Sequence, residues 1–252
     1  MGSFGAGGAL GAALSLPSRS LAALGGEERV SQHDPEPLTT FVVAVDGPAA
    51  SGKGTIAKQL GEAFDLPVLD TGLLYRCVGM AMLQARENLD DHEAATAAAA
   101  LITADQLENP DLRTRKAGEA ASRVAVHPRV RGALWDFQRT FARQDGGAIL
   151  DGRDIGTVIV PDAPAKLFVT ARPEVRAERR WKQLKAAGER VSLKTVLADI
   201  RRRDERDGER EAAPMRPAPD ATLLDTSEMS ISQAADAARR IVEAARARWM
   251  SS

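Results

Sequence analysis

The residues of this sequence best suited to chemistry are those spaced to hold phosphate. Gly47-Pro48-Ala49-Ala50-Ser51-Gly52-Lys53-Gly54-Thr55 sets a glycine, four residues and then Gly-Lys between an apolar run and a helical pattern, the P-loop spacing in its proper context. Glycines let the chain wrap closely around phosphate oxygens, so that successive amides and a helix N-terminus point at one anion. Lys53 adds a mobile positive charge for a phosphoryl group in transfer. Gly54 stands where the hydroxyl residue usually does, which passes the place beside magnesium or the phosphates to Thr55.

A hydrolase needs only water as acceptor, whereas a kinase must align a second substrate and neutralise charge between two phosphate-bearing molecules. Residues 172–210 hold ten arginines in a chain whose formal net charge is -1. Arg176, Arg179 and Arg180 fall on one face of a helix, as do Arg203, Asp207 and Arg210 if their helix continues that far. Glu178, Asp204, Glu205 and Glu209 allow a plain solvated face, but like charges so dense repel unless an anion gathers them. Asp151-Gly152-Arg153-Asp154 follows a short apolar run, where ligands of open parallel sheets bind: Asp151 would hold magnesium through water or accept a proton, and Arg153 would clamp a phosphate. Asp70-Thr71-Gly72 has a similar form, an N-cap with Arg76 one turn in. His33, His92 and His127 lack metal-ligand spacing, and no protein-held metal site is expected.

These groups need strands to carry them and helices to cross between. Phe41 to Val45, Leu66 to Leu69, Ala148 to Leu150, Lys166 to Val169 and Thr222 to Leu224 read as strands. Helical patterns cover 54–64, 72–84, 91–104, 116–126, 128–144, 173–187, 192–206 and 232–248, with a polar joint at 108–115. That alternation predicts an α/β fold with a doubly wound parallel sheet. With 252 residues and 44% hydrophobic composition the chain is long enough for one well-buried domain. Its near-neutral charge gives no general attraction to nucleic acid or membrane, and no run of 18 apolar residues occurs. Cys77 is the only cysteine, which excludes a disulfide framework, fits a reducing compartment and reads as an apolar filler. Residues 1–40 are read as an extension outside the domain. The first 26 contain no acid, and Arg19 follows the apolar stretch Ala9 to Leu16 rather than preceding it, so a secretory signal is disfavoured; a disordered extension and an organelle transit peptide remain.

Taken together, Gly47 to Thr55, Leu69 to Arg76, Ala121 to Ala125, Pro128 to Arg131, the long run Asp151 to Pro164, and Arg203 to Asp207 with Arg210 resemble the bacterial cytidylate kinases. The resemblance spans about residues 41–248. It implies a P-loop kinase core, a small monophosphate-binding insert at roughly 71–145 and an arginine-rich lid at roughly 173–210. It further implies ATP, magnesium held mainly by the nucleotide phosphates, and cytidylate or deoxycytidylate as acceptor; a cytoplasmic monomer without nucleic-acid or membrane partners is expected. Carried over by position, Thr71, Arg131 and Asp154 resemble the set that reads the cytosine edge. Ser122, Arg203 and Asp207 correspond to the sugar-binding positions, and Arg76, Arg153 and Arg210 to those holding the acceptor phosphate. Lys53, Arg176 and Arg179 would serve ATP. Residues 104–115 are too few for the β-insert of many members, so the insert here should be trimmed or helical. Another P-loop kinase, acting on uridylate, adenylate or shikimate, and a non-catalytic ATP-binding module are the competing readings.

Overall fold

The computed structural model describes residues 38–251, and the extension read at 1–40 lies outside them except for its last three residues, as does His33. Five strands form one sheet: β1 (Val42–Asp46), β2 (Val68–Asp70), β3 (Ala148–Gly152), β4 (Ala165–Thr170) and β5 (Thr222–Asp225). Their order is β2-β3-β1-β4-β5 and every pairing is parallel. β1 is central and wholly buried, which is why its sequence is a continuous apolar run rather than an alternating one. The register lays Asp46 beside Gly152 and Asp70 beside Asp151, so three strands bring acidic residues to one edge of the sheet. β3 runs two residues beyond its apolar stretch, placing Asp151 in the strand rather than in the following loop.

Helices cover both faces. Against one pack α1 (Lys53–Phe64) and α8 (Ile231–Trp249), whose Ile56, Leu60, Ala238 and Val242 meet Val43, Val45 and Leu167. Against the other pack Phe141 and Ala142 of α5 (Pro128–Ala142), with Ile155 and Ile159 from a wide π-type turn, Ile155–Ile159, to which the sequence reading assigned no element. A second core joins α2 (Thr71–Ala85), α3 (His92–Ala100), α4 (Arg115–Val124) and α5 around Leu74, Val78, Val124 and Leu134. The segment read from the sequence as a lid is a helix pair, α6 (Pro173–Ala186) and α7 (Leu193–Glu209), packed on Ala177, Leu184, Val196 and Ile200. Helix starts follow local chemistry: Asp70 accepts from Gly72 N, Thr114 from Ala117 N and Ser192 from Thr195 N, each satisfying an amide that the helix itself cannot.

The polar joint becomes two 3-10 turns, Ala104–Glu108 and Pro110–Arg113. Cys77 is buried and its thiol is pushed up to about 11, by burial first and then by Asp105, as suits a filler rather than a nucleophile. His127 is engaged structurally, its Nε2 lying 2.9 Å from Leu89 O.

One glycine decides how the sheet gives way to the phosphate loop. Gly47 has φ +144°, and a Cβ there would lie 2.0 Å from Val169 O in the adjacent strand. Gly47→Ala therefore forces β1 and β4 apart. The expected cost is about 3 kcal/mol, on the order of a 10 °C fall in Tm for a domain of this size, read by thermal denaturation.

Candidate active site

Beyond the C-terminal ends of the strands lies a groove of about 1210 Å³. One wall is the loop from Ala49 to Thr55 leading into α1. Gly52, at φ +96°, and Ala50, at φ +60°, turn the chain so that it can wrap an anion; a left-handed alanine is the kind of local strain found where a loop is shaped for a ligand. Ser51 Oγ is buried with no hydrogen-bond partner, a polar atom for which a bound phosphate oxygen would compensate. Lys53 Nζ lies 3.0 Å from Asp151 Oδ1. Burial lowers the lysine's pKa, assisted by Arg153, and burial raises that of Asp151. Gly54 lets the loop lie close to this pair, since a Cβ there would sit 3.1 Å from Asp151 Oδ2.

Several guanidinium groups line the same groove, those of Arg76, Arg153, Arg180 and Arg203. Arg76 donates to Leu112 O at 2.5 Å and Thr114 O at 3.4 Å, so the shortened segment supplies its anchor. Arg76 Nη2 and Arg203 Nη1 each lie 3.6 Å from the point where a Cβ on Gly118 would sit, which places both over that glycine. Burial pulls the Arg76 pKa down to about 10, and Arg203, Arg180 and Arg153 push it the same way. Arg203 is lowered by burial and by Arg153. Cations that depress one another in a shared groove are relieved when an anion enters.

Behind these groups lies a buried charged layer. Arg153 Nε donates to Asp207 Oδ2 at 3.1 Å, Ser122 Oγ to Asp207 Oδ1 at 3.4 Å, and Arg203 Nε stands 3.7 Å from the same carboxylate. Burial alone would raise the Asp207 pKa, but Arg203, Arg153 and Arg210 overcome it and hold it below the usual carboxylate range. Asp154 is clasped by two arginines: Arg131 on one oxygen, and Arg210 Nη2 at 3.2 Å on the other. The Arg131 guanidinium also covers the Tyr75 ring, 5.6 Å from its centroid. Thr71 Oγ1 donates to Asp151 O at 2.9 Å and packs where Gly152 leaves room.

Most residues expected from the sequence are thus gathered, but in two layers. Lys53, Asp151, Arg76, Arg153, Arg179 and Arg203 face the groove, and Thr71, Ser122, Arg131, Asp154, Asp207 and Arg210 lie behind it. Arg210 caps the C-terminus of α7 and spends its guanidinium on Asp154 and, at 2.5 Å, on Ala213 O. Arg176 does not line the groove. It is buried beneath the loop, donating to Ala171 O at 2.7 Å, to Ala49 O at 3.3 Å and to Asp204. Arg179 donates to Ser51 O at 3.3 Å and to Thr226 Oγ1 at 2.9 Å, tying α6 to the loop.

The sequence reading gave no role to three participants, and to a fourth, Arg180, none of its own. Arg180 entered only as part of a charged face. Arg113 also lines the groove, and its carbonyl accepts from Arg180 at 3.4 Å. Thr226 donates to Ser51 O from 175 residues away, a contact with no local signal. Asp46 ends β1 beside the glycine loop and could have been found by the rule that ligand groups gather at strand ends. Across the outer rim Arg115 Nε donates to Asp199 at 2.7 Å and Arg206 to Glu119 at 3.0 Å, joining α7 to α4.

A parallel sheet that delivers one lysine-bearing amide loop and a set of guanidinium groups to a single groove defines a P-loop kinase. A family model described as "Cytidylate kinase" matches residues 43–244. The chain is similar to the cytidylate kinase of Caulobacter sp. (strain K31), 66% identical over 83% of this chain and 97% of that one. It is likewise similar to those of Caulobacter vibrioides, 64% identical over 82% and 98%, and of Xanthobacter autotrophicus, 59% identical over 82% and 99%. The chain belongs to the cytidylate kinase family.

Proposed function

We propose that this groove runs the ATP-dependent phosphorylation of cytidylate and deoxycytidylate to the diphosphates, by direct in-line transfer. One observation carries the reading: the Lys53–Asp151 pair and the guanidinium groups of Arg153, Arg76 and Arg203 all line one groove. The loop Ala49 to Thr55 takes the ATP phosphates on its amides, and Lys53 exchanges Asp151 for them. Arg76 and Arg153, with Arg210 behind, receive the acceptor phosphate. Ser122, Arg203 and Asp207 receive the sugar.

Base choice falls to Thr71, Arg131 and Asp154. A guanidinium donates to the ring carbonyl and N3 of cytosine, while the carboxylate accepts from its exocyclic amine. Uracil presents a carbonyl where that amine would be, and the same carboxylate repels it. An acceptor phosphate is already anionic, so alignment and charge neutralisation suffice without a dedicated base. Arg179 holds the lid to the loop, and closure of the lid excludes water that would otherwise compete as acceptor.

Magnesium would arrive on the ATP phosphates, where it neutralises their charge. Asp151 and the Thr55 hydroxyl are the groove groups suited to it, and among the described residues no three His, Cys, Asp or Glu side chains cluster as a separate metal site. We place the activity in the cytoplasm, as a monomer. No described helix is long and apolar enough to cross a membrane.

An ADP-release assay across acceptors tests the reading. Cytidylate and deoxycytidylate should exceed uridylate, adenylate and shikimate by at least about tenfold in kcat/KM, the discrimination expected when a buried polar group must go unpaired. Equal rates with uridylate would refute the role of Asp154, and ATP binding without acceptor-dependent turnover would refute the kinase reading.

A further inference from the structure

We infer that Asp46 is a positioning residue for acceptor recognition: its carboxylate fixes the turn that aims Asp154, and couples that turn to the strand carrying the phosphate loop. The inference rests on the reading of Asp154 as the group that selects the base.

Asp46 is the last residue of β1, next to Gly47, yet its side chain is bonded away from the phosphate loop. Oδ1 accepts from Ile155 N at 2.8 Å and Oδ2 from Gly156 N at 2.8 Å. These are the two amides immediately after Asp154, at the opening of the π-type turn. The same turn closes on Asp154 from the other side, since Val158 N and Ile159 N both donate to Asp154 O, at 2.9 and 3.2 Å. Asp154 is thereby held by its carbonyl, by the two amides that follow it and by Arg131 and Arg210 on its carboxylate.

A carboxylate is a costly choice at this place. Asp46 is 4% exposed, and burial pushes its pKa up to about 7 against the two amide bonds, with Asp154 and Asp151 adding repulsion. Asparagine would occupy nearly the same volume without a charge to bury. It offers one acceptor oxygen, however, and would turn an NH₂ toward the second amide. Only a carboxylate receives both amides, and receiving both is what fixes the turn. Because Asp46 pairs in register with Gly152, the bond also sets the offset between the Lys53 loop after β1 and the acceptor residues after β3.

Steady-state kinetics of Asp46→Asn, Asp154→Ala and the double variant test this, with cytidylate, uridylate and ATP each varied. Asp46→Asn should raise the cytidylate KM about tenfold and reduce the preference for cytidylate over uridylate about fivefold, with ATP KM within about twofold, because one charge-assisted bond is lost and the ATP loop keeps its own. The double variant should discriminate no worse than Asp154→Ala alone, as two residues acting through one contact do. If Asp46→Asn does not accumulate as folded protein, Gly156→Ala carries the test. A Cβ there would lie 3.4 Å from Asp46 Oδ2 and 3.1 Å from Lys166 Cδ, and a smaller shift in the same direction is expected.

A cytidylate KM and base preference unchanged in Asp46→Asn, or in Gly156→Ala where that stands in, while Asp154→Ala loses discrimination, overturns the role of Asp46 and leaves that of Asp154 intact. Equal rises in the cytidylate and ATP KM values, the mark of a general loosening, also overturn it. Unchanged discrimination in Asp154→Ala overturns the base-reading assignment itself, and the Asp46 inference with it.

Discussion

Lys53→Ala should lower kcat about a thousandfold or more, with both substrates saturating and the protein still folded. Lys53 pairs with Asp151 at 3.0 Å inside a groove that Arg76, Arg153 and Arg203 also line. Burial lowers the lysine's pKa and Arg153 lowers it further, against the opposing pull of Asp151, itself raised by burial, and of Asp70. Incoming phosphate supplies several anionic oxygens where Asp151 supplies one. The lysine is thus poised to exchange partners when ATP enters, and its charge gains most where negative charge builds on the transferring group. Alanine removes that gain from the transition state. It also leaves Asp151 buried without its cation, but a carboxyl whose pKa is already raised can take up a proton, so the fold tolerates the loss. Single-turnover rates with a thermal-shift control read the result, and a kcat within tenfold of the parent would remove Lys53 from the chemistry.

Why so much of this machinery was readable before any coordinates is clear from the residues concerned. The phosphate loop is local: nine consecutive residues, a strand before and a helix after, so spacing alone carries the geometry. The parallel sheet was legible because each strand is a short run enriched in apolar and β-branched residues, and that holds best for β1, buried along its whole length. What spacing does not carry is depth. Arg176 and Arg179 are three residues apart on one helix and look equivalent in sequence, yet Arg176 is a buried strut under Ala49 while Arg179 lines the groove. Helical phase gives a direction around the axis, not which neighbour will be met there. Arg210 differs for a related reason: α7 ends at Glu209, so the residue leaves the helical phase of Arg203 and turns inward to Asp154. Thr226 and Asp46 act across 175 and 110 residues, and their partners are backbone atoms, which have no residue type to recognise.

Asp154→Ala should raise the cytidylate KM roughly a hundredfold, the loss of one hydrogen bond to a charged group with part of its surroundings, and bring uridylate up toward equal use. At first sight the structure leaves this carboxylate no capacity, since Arg131 holds one oxygen and Arg210 the other. Two oxygens carry about four lone-pair sites, however, so both guanidinium contacts can persist while an exocyclic amine is accepted. The arginines do more than compensate charge. They fix the position of the carboxylate from two sides, and Arg131 is steadied in turn by the Tyr75 ring. Alanine therefore removes a selector and also leaves two buried guanidinium groups facing one another, a loss of about 3–5 kcal/mol in stability on the scale for breaking a buried pair. Asp154→Asn separates the two effects. It preserves volume and one acceptor, but presents a donor either to the amine or to a guanidinium, so its preference for cytidylate should fall even where its Tm stays near the parent's. Arg76 and Arg153, proposed above for the acceptor phosphate, donate to groups other than Asp154 and stay in the groove in both variants, so kcat with cytidylate at saturation should remain within about tenfold. Cytidylate and uridylate kinetics indistinguishable from the parent in both would show that the base is read elsewhere.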